Sequence, residues 1–262
     1  MRPTRQTTAR LTTRVVRFIA ATVAPSLLLA APVAPATADS LSGTAIQMLQ
    51  DKPMPATGHD VSNYTGRVDW TGARHDGAHF VYIYASEATK YRNKHFAQQY
   101  NGSYDAGIIR GAYHFAEPDR SSGAKQAQYF LSHGGGWSND GRTLPGALDL
   151  EPLPNRQSCY GLSPGEMRTW ITDFSDTYRA ATSRDPVIYT STSWWNTCTD
   201  HWTDAAKRHP LWLASWATTP GPLPAGWDYY TFWQTADRGD LPGDQDVFNG
   251  SLTQLHRFAT GE

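Results

Sequence analysis

The chain has 262 residues, with 23 Lys+Arg against 24 Asp+Glu and a formal net charge of −1. A balance this close to neutral argues against a protein that holds nucleic acid by charge alone, and 39% apolar residues exclude wholesale disorder. Aromatic residues reach 12%, with 10 Trp and 13 Tyr, which fits either core packing or a cleft in which sugar faces stack on indole.

That average joins two unlike pieces. Residues 1–17 carry Arg2, Arg5, Arg10, Arg14 and Arg17 and no acid, whereas Phe18 to Ala38 is uncharged and ends in Ala36-Thr37-Ala38. A basic start, an apolar middle and a small-x-small end predict a secretory signal peptide cleaved after Ala38, of the Sec type because no adjacent Arg pair is present. An uncleaved anchor is the competing reading, but Pro25, Pro32 and Pro35 interrupt the stretch, whose length is marginal for a span of about 20 residues. Cleavage leaves 18 basic and 24 acidic residues, a net of −6. The expected product is an acidic, extracellular protein with no membrane attachment and no nucleic-acid partner. Residues 39–57 read as a lead-in with Pro53 and Pro55, and 58–262 as one domain.

Within that domain, short apolar runs alternate with helical patterns. Strands are expected at Gly58–Ser62, Phe80–Ser86, Gly107–Phe115, Gly146–Leu150, Val187–Thr190, Leu211–Trp216, Tyr229–Gln234 and Asp246–Phe248. Helices are expected at Asn93–Tyr104, Gly123–Ser132 and Pro164–Ala181. Apolar strands alternating with helices argue for a parallel sheet buried on both faces, and about eight of them suggest an irregular α/β barrel of the TIM-like kind with fewer helices than strands. In such barrels the working groups collect where strands end. Asp60, Glu87, His114, Asp149 with Glu151, Tyr189 and Gln234 all stand near strand ends.

Gly146-Ala147-Leu148-Asp149-Leu150-Glu151-Pro152 is the sharpest local feature. Strand alternation puts Asp149 and Glu151 on one face with Cα atoms about 6.6 Å apart. Two neighbouring carboxylates resist joint ionisation, so one is pushed towards its acid form. An acid and a base at the same pH are what glycosidic cleavage needs. A solvated strand end bearing two surface acids is the plain alternative. Metal binding is the other, but Asp244-Gln245-Asp246-Val247 fails the calcium-loop pattern and no paired-His motif occurs, so no metal and no cofactor are expected. Gly161-Leu162-Ser163-Pro164-Gly165 imitates a serine-hydrolase elbow. Pro164 lacks the N–H such an elbow requires, and Ser163 with Glu166 reads instead as a helix capping box. Cys159 and Cys198 are the only cysteines, and export permits one disulfide between them.

Several stretches together resemble glycoside hydrolase family 25, the Chalaropsis-type lysozymes (N,O-diacetylmuramidases). They are Gly58-His59-Asp60-Val61-Ser62, Asp69-Trp70, Gly107 through Phe115, Leu148-Asp149-Leu150-Glu151, Ile188-Tyr189-Thr190, Trp212-Leu213-Ala214, Phe232-Trp233-Gln234 and Phe248-Asn249-Gly250. The resemblance spans 58–250 and implies hydrolysis of the β-1,4 bond between N-acetylmuramic acid and N-acetylglucosamine in peptidoglycan by a monomer. It implies Glu151 as general acid and base and Asp149 as support for attack by the substrate's own acetamido group, with a direct carboxylate nucleophile as the rival. Asp60 and Asp244 would complete an acidic rim; Asp244 is favoured because it is four residues before Phe248, with Asp246, which stands where the family usually has Asn, as the alternative. Tyr113, Tyr189, Trp216, Gln234 and Glu87 are the expected substrate contacts. Tyr84 and Ala88 replace the family's common Lys and Gly, and His59 a usual aliphatic residue. A non-catalytic peptidoglycan-binding relative is the alternative function.

Overall fold

The computed structural model describes residues 54–262, so the expected signal segment and most of the lead-in lie outside the described residues. Nine strands form one sheet: β1 Thr57–Val61, β2 Phe80–Glu87, β3 Tyr91–Arg92, β4 Ile109–Phe115, β5 Ala147–Leu150, β6 Val187–Thr190, β7 Leu211–Ala214, β8 Phe232–Ala236 and β9 Asp244–Phe248. Their order is β1-β9-β8-β7-β6-β5-β4-β2-β3, and a β1–β2 pairing closes the sheet into an eight-stranded barrel that leaves β3 as a hairpin arm on β2. Among the described residues no helix is long and apolar enough to cross a membrane.

The α/β barrel class agrees with the sequence, but the all-parallel sheet does not. β9 runs antiparallel to both β8 and β1. The connection 237–243 between β8 and β9 explains it: a parallel return needs a crossover of about a dozen residues or more. The barrel is therefore mixed.

Among the described residues six α-helices surround or cap it: α1 Trp70–His75, α2 Phe96–Asp105, α3 Gly123–Phe130, α4 Pro164–Thr182, α5 Thr192–Cys198 and α6 Leu252–Thr260. α4 starts as expected: Ser163 and Glu166 form the reciprocal capping box, Pro164 opens the first turn, and Ser183 ends the helix in a left-handed conformation. Its buried Met167, Trp170, Ile171, Phe174 and Tyr178 recur at helical spacing and pack with Leu148, Leu150 and Ile188 on the outside of the barrel. α3 stops two residues before the expected Ser132. A wide turn over Leu131–Gly135 follows, in which Gly134 takes φ +102° against Phe96. α1, α5 and α6 were not anticipated. α6 carries a second capping box, Ser251 with Gln254, and sends Leu255 and Ala259 into the barrel core beside Phe80, Phe232 and Phe248.

Strand alternation divides the residues of the barrel wall. Phe80, Tyr82, Tyr113, Ala147, Tyr189, Trp212 and Phe232 fill the interior, while Val81, Ile83, Ala112, Leu148, Leu150 and Ile188 face the surrounding helices and loops. The interior core is aromatic: Tyr82 stacks on Trp212 at 4.7 Å between centroids and meets Phe232 edge-on at 5.4 Å.

Cys159 and Cys198 form a disulfide with Cα atoms 5.3 Å apart. It ties the loop after β5 to the last residue of α5. The same loop is held by Trp194 Nε1, which donates to the Ser158 carbonyl at 2.8 Å, and by Tyr160 Oη, which donates to the Glu151 carbonyl at 2.8 Å. Closing a loop with a sequence separation of 39 removes unfolded-state freedom. Reduction or Cys198→Ser is therefore expected to cost about 3–4 kcal/mol in thermal or denaturant unfolding. Identical unfolding with and without reductant would contradict this.

Candidate active site

At one mouth of the barrel a pocket of about 70 Å³ is lined by Asp60, Tyr113, Asp149, Glu151, Tyr189, Trp212, Gln234 and Asp244. Each side chain arrives there through the inward phase of its strand. On β5, Ala147 and Asp149 point in, Leu148 and Leu150 point out, and Glu151 continues the inward series just past the strand end. Register brings the others alongside: Asp149 is opposite Phe115 and Tyr189, and Asp60 is opposite Asp244.

A hydrogen-bond chain crosses the pocket. Gln234 Nε2 donates to Asp60 Oδ2 at 2.7 Å and to Asp244 Oδ2 at 3.2 Å. Gln234 Oε1 accepts from Tyr189 Oη and from Trp216 Nε1, both at 2.8 Å. Trp216 lies beyond the end of β7, and although its N–H is engaged the residue is 61% exposed, leaving indole surface free for stacking. Asp149 is buried and its Oδ1 has no protein partner.

Every carboxyl in the pocket is pushed towards its acid form. Burial raises Asp149 well above the usual carboxylate range, with repulsion from Glu151, Asp60 and Glu87 adding to it. Burial lifts Glu151 to about 7, helped by Asp244. Asp60 rises to about 8 through burial and the Asp244 charge, partly offset by the Gln234 hydrogen bond. Asp244 is raised as well, by burial and by Asp237. The Asp149–Glu151 pair therefore keeps a proton at a pH where an isolated carboxyl has lost it.

Not every expected group converges here. Glu87 lies in an adjoining groove of about 460 Å³ that also includes Tyr64, Tyr84, Tyr91, Arg92, Asp149 and Glu151. It is fixed by Tyr84 Oη, which donates to its Oε2 at 2.7 Å. Ala88 takes φ +46°, the left-handed region that favours glycine. His114 belongs to the outer face of β4 rather than the rim. It bonds Ser86 Oγ at 2.8 Å and Gln126 Oε1 at 3.0 Å, and burial lowers it to about 4, so it is neutral packing. His59 likewise faces outward onto Trp70 and is held near 4 by burial. Of the two final acids, Asp244 lines the pocket, while Asp246 is buried and accepts from Trp212 Nε1 at 2.8 Å.

Sequence reasoning gave no role to Trp212, Tyr64 or Tyr91. The inward position of Trp212 on β7 was the available signal; Tyr64 and Tyr91, 97% and 60% exposed, are placed in the groove by loop and hairpin geometry. Among the described residues no group of three or more His, Cys, Asp or Glu is arranged to hold a metal ion. A larger cavity of about 520 Å³ lies elsewhere, around 206–210 and 226–231, where Lys207 and Arg208 are already engaged by Asp204, Asp176 and Asp185.

Comparison with known proteins agrees with this architecture. The profile of glycosyl hydrolases family 25 matches residues 59–244. The chain is 49% identical over 207 residues to "Lysozyme M1" of Streptomyces globisporus, covering 77% of this chain and 70% of that one. It is 50% identical over 204 residues to an "N,O-diacetylmuramidase" of Arthroderma benhamiae, covering 78% and 86%. Among solved structures, a muramidase from Acremonium alcalophilum superposes with a TM-score of 0.77 at 50% identity, covering 79% of this chain and 99% of its own. A family GH25 lysozyme from Aspergillus fumigatus gives 0.78 at 46%, covering 79% and 100%. With the match to residues 59–244 and relatives near half identity, the chain belongs to glycosyl hydrolases family 25.

Proposed function

We propose that this chain is an exported lysozyme of the muramidase type, cleaving the β-1,4 bond between N-acetylmuramic acid and N-acetylglucosamine in peptidoglycan. The observation that carries the reading is the Asp149–Glu151 pair, two inward carboxyls in one buried, proton-retaining pocket on a family 25 barrel. The relatives named lysozyme and N,O-diacetylmuramidase supply the substrate class. Export rests on the signal-like residues 1–38, and the domain assignment on 58–262.

In this reading Glu151 is the group that moves the proton. Its half-buried carboxyl, at the outer end of the pair, donates to the glycosidic oxygen as the bond to the muramic C1 breaks. The acetamido carbonyl oxygen of the same muramic acid closes on C1 to give a bicyclic oxazolinium ion, whose N–H is a donor that needs an acceptor. Asp149 lines the pocket and its buried Oδ1 has no protein partner, which suits this carboxyl to accept that N–H. Accepting a donor favours the ionised form of Asp149, and repulsion within the pair then keeps the proton on Glu151 until transfer. Water enters at C1, Glu151 takes its proton, and the ring opens with retention. Metaphorical relay is unnecessary: one carboxyl serves in turn as acid and base.

Asp60, Gln234 and Asp244 border the same sugar. Tyr189 sends its only proton to Gln234 Oε1, which Trp216 Nε1 also satisfies. Tyr189 can turn that proton to the acetamido oxygen without leaving Gln234 unpaired. Exposed Trp216, Tyr64 and Tyr91 offer stacking faces for flanking sugars. The mature chain's net of −6 makes steering towards anionic wall polymers unfavourable, so recognition rests on these contacts.

The pH dependence tests the assignment. Glu151 is raised from 4.5 to about 7, so its acid form dominates at mildly acidic pH and is lost as pH climbs through 7. Hydrolysis of isolated cell walls is expected to be fastest in that mildly acidic range and to fall up to about tenfold per unit above it. A rate that rises steadily beyond pH 8 would contradict a general acid here.

A further inference from the structure

Beneath Asp60 lies a carboxyl that the proposed reaction does not use. Asp246 is 2% exposed, its Oδ1 accepts from Trp212 Nε1 at 2.8 Å, and its Oδ2 has no N–H donor. The Asp246 carboxyl neighbours the Asp60 carboxyl across the paired strands β1 and β9, and its Oδ2 has no hydrogen-bond partner. Two carboxyl groups can share a hydrogen bond only if one of them brings a proton. Asp60 already receives Gln234 Nε2 at 2.7 Å. The titratable groups acting on this position are Asp60 from β1, Asp244 on β9, Tyr82 from β2 and Tyr189 from β6; Trp212 from β7 and Gln234 from β8 are uncharged. None of them is a cation. An ionised Asp246 would be a buried charge with one N–H donor, surrounded by groups of its own sign.

We propose that Asp246 is a positioning residue that works as a neutral carboxylic acid, donating its Oδ2 proton to Asp60 while its Oδ1 accepts from Trp212. Its functional half rests on the muramidase reading; its chemical half does not. With a donor from Asp246 on one side and Gln234 Nε2 on the other, Asp60 is held in a single orientation. Asp60 and Asp244 together then fix which way round the Gln234 amide lies, with nitrogen towards the two acids and oxygen towards Tyr189 and Trp216. A buried proton on β9 thereby sets the direction of the hydroxyl that borders the acetamido group. Burial, then the Asp60 charge, raises Asp246 well above the usual carboxylate range, in the same sense as the geometry.

Asp246→Asn and Asp246→Leu separate donor from charge. The amide keeps a donor for Asp60 and an acceptor for Trp212 in the same shape; leucine keeps neither. On cell walls, Asp246→Asn is expected to retain kcat/KM within about twofold with an unshifted pH profile, because a neutral donor replaces a neutral donor. Asp246→Leu is expected to lose about tenfold or more, chiefly in kcat, while staying folded by circular dichroism. Leucine activity equal to that of the asparagine variant would overturn the positioning role. An acid-shifted alkaline limb in Asp246→Asn would also overturn the proposal, since removing a real negative charge lowers the pKa of Glu151. The second measurement needs no activity. A carboxyl raised by folding stabilises most below its unfolded pKa, near 4, and that stability drains as pH rises towards the folded value. Wild type should therefore lose more melting temperature between pH 5 and pH 8 than Asp246→Asn. Equal losses would mean that Asp246 is ionised in the folded protein. Should wild type leave walls uncut, the muramidase reading fails while this unfolding comparison still decides the protonation.

Discussion

Glu151→Gln is expected to lower kcat on isolated cell walls by about 10²- to 10⁴-fold. Glutamine has nearly the same shape but no transferable acid proton, so it cannot protonate the leaving oxygen or receive a proton from water. The environment argues for a large effect. The Glu151 side chain is at the barrel mouth, its backbone carbonyl is anchored by Tyr160, and burial raises its carboxyl to about 7, close to the working pH of a general acid. The substitution also removes a charge from among Asp60, Asp149 and Asp244, so the variant should unfold at the same temperature as wild type or higher. Loss of rate with an intact fold identifies the acid. A variant that clears walls at the wild-type rate would remove Glu151 from the mechanism.

Asp149→Asn is the second large loss, expected at about 10²- to 10³-fold in kcat with little change in KM. The amide preserves volume on β5 but replaces a carboxylate acceptor by a group that cannot carry negative charge. If Asp149 receives the acetamido N–H, the interaction strengthens as positive charge develops on the closing ring. Its removal therefore falls on the transition state rather than on binding. The comparison also separates the two chemical routes. Under acetamido-assisted attack, added azide leaves the variant slow. Recovery by azide with an inverted glycosyl azide as product would instead make Asp149 the nucleophile.

How much of this could be seen in the sequence depended on how local the cause was. Alternation along Ala147 to Leu150 is local, so the shared face of Asp149 and Glu151 was readable, as were the Ser163 capping box and the pairing of the two cysteines. The barrel class followed from eight apolar runs. The direction of β9 did not, because it depends on a short connection rather than on the strand itself. α1 and α5, of 6 and 7 residues, are too short to show a period. α6 is longer, at 9 residues, but its buried Leu255 and Ala259 alone mark little of a stripe. His114 stands near a strand end by position alone, and its phase on β4 turns it outward to Ser86 and Gln126. The hydrogen bonds of the pocket are the least legible part. Gln234 reaches Asp60 across 174 residues and Tyr189 across 45, and no local pattern encodes such partners. The bond between Trp212 and Asp246 is hidden for the same reason: they are 34 residues apart and meet only inside the closed barrel.

Exposed Trp216, Tyr64 and Tyr91 would also serve a protein that merely holds the wall, so the central claim turns on which bond is cut. Mass spectrometry of muropeptides released from purified peptidoglycan, with borohydride marking each new reducing end, reads this directly. The muramidase account predicts reduced N-acetylmuramic acid at the new ends with wild-type protein and none above background with Glu151→Gln. Reduced N-acetylglucosamine, free stem peptides, or wall binding with no new reducing end would contradict it.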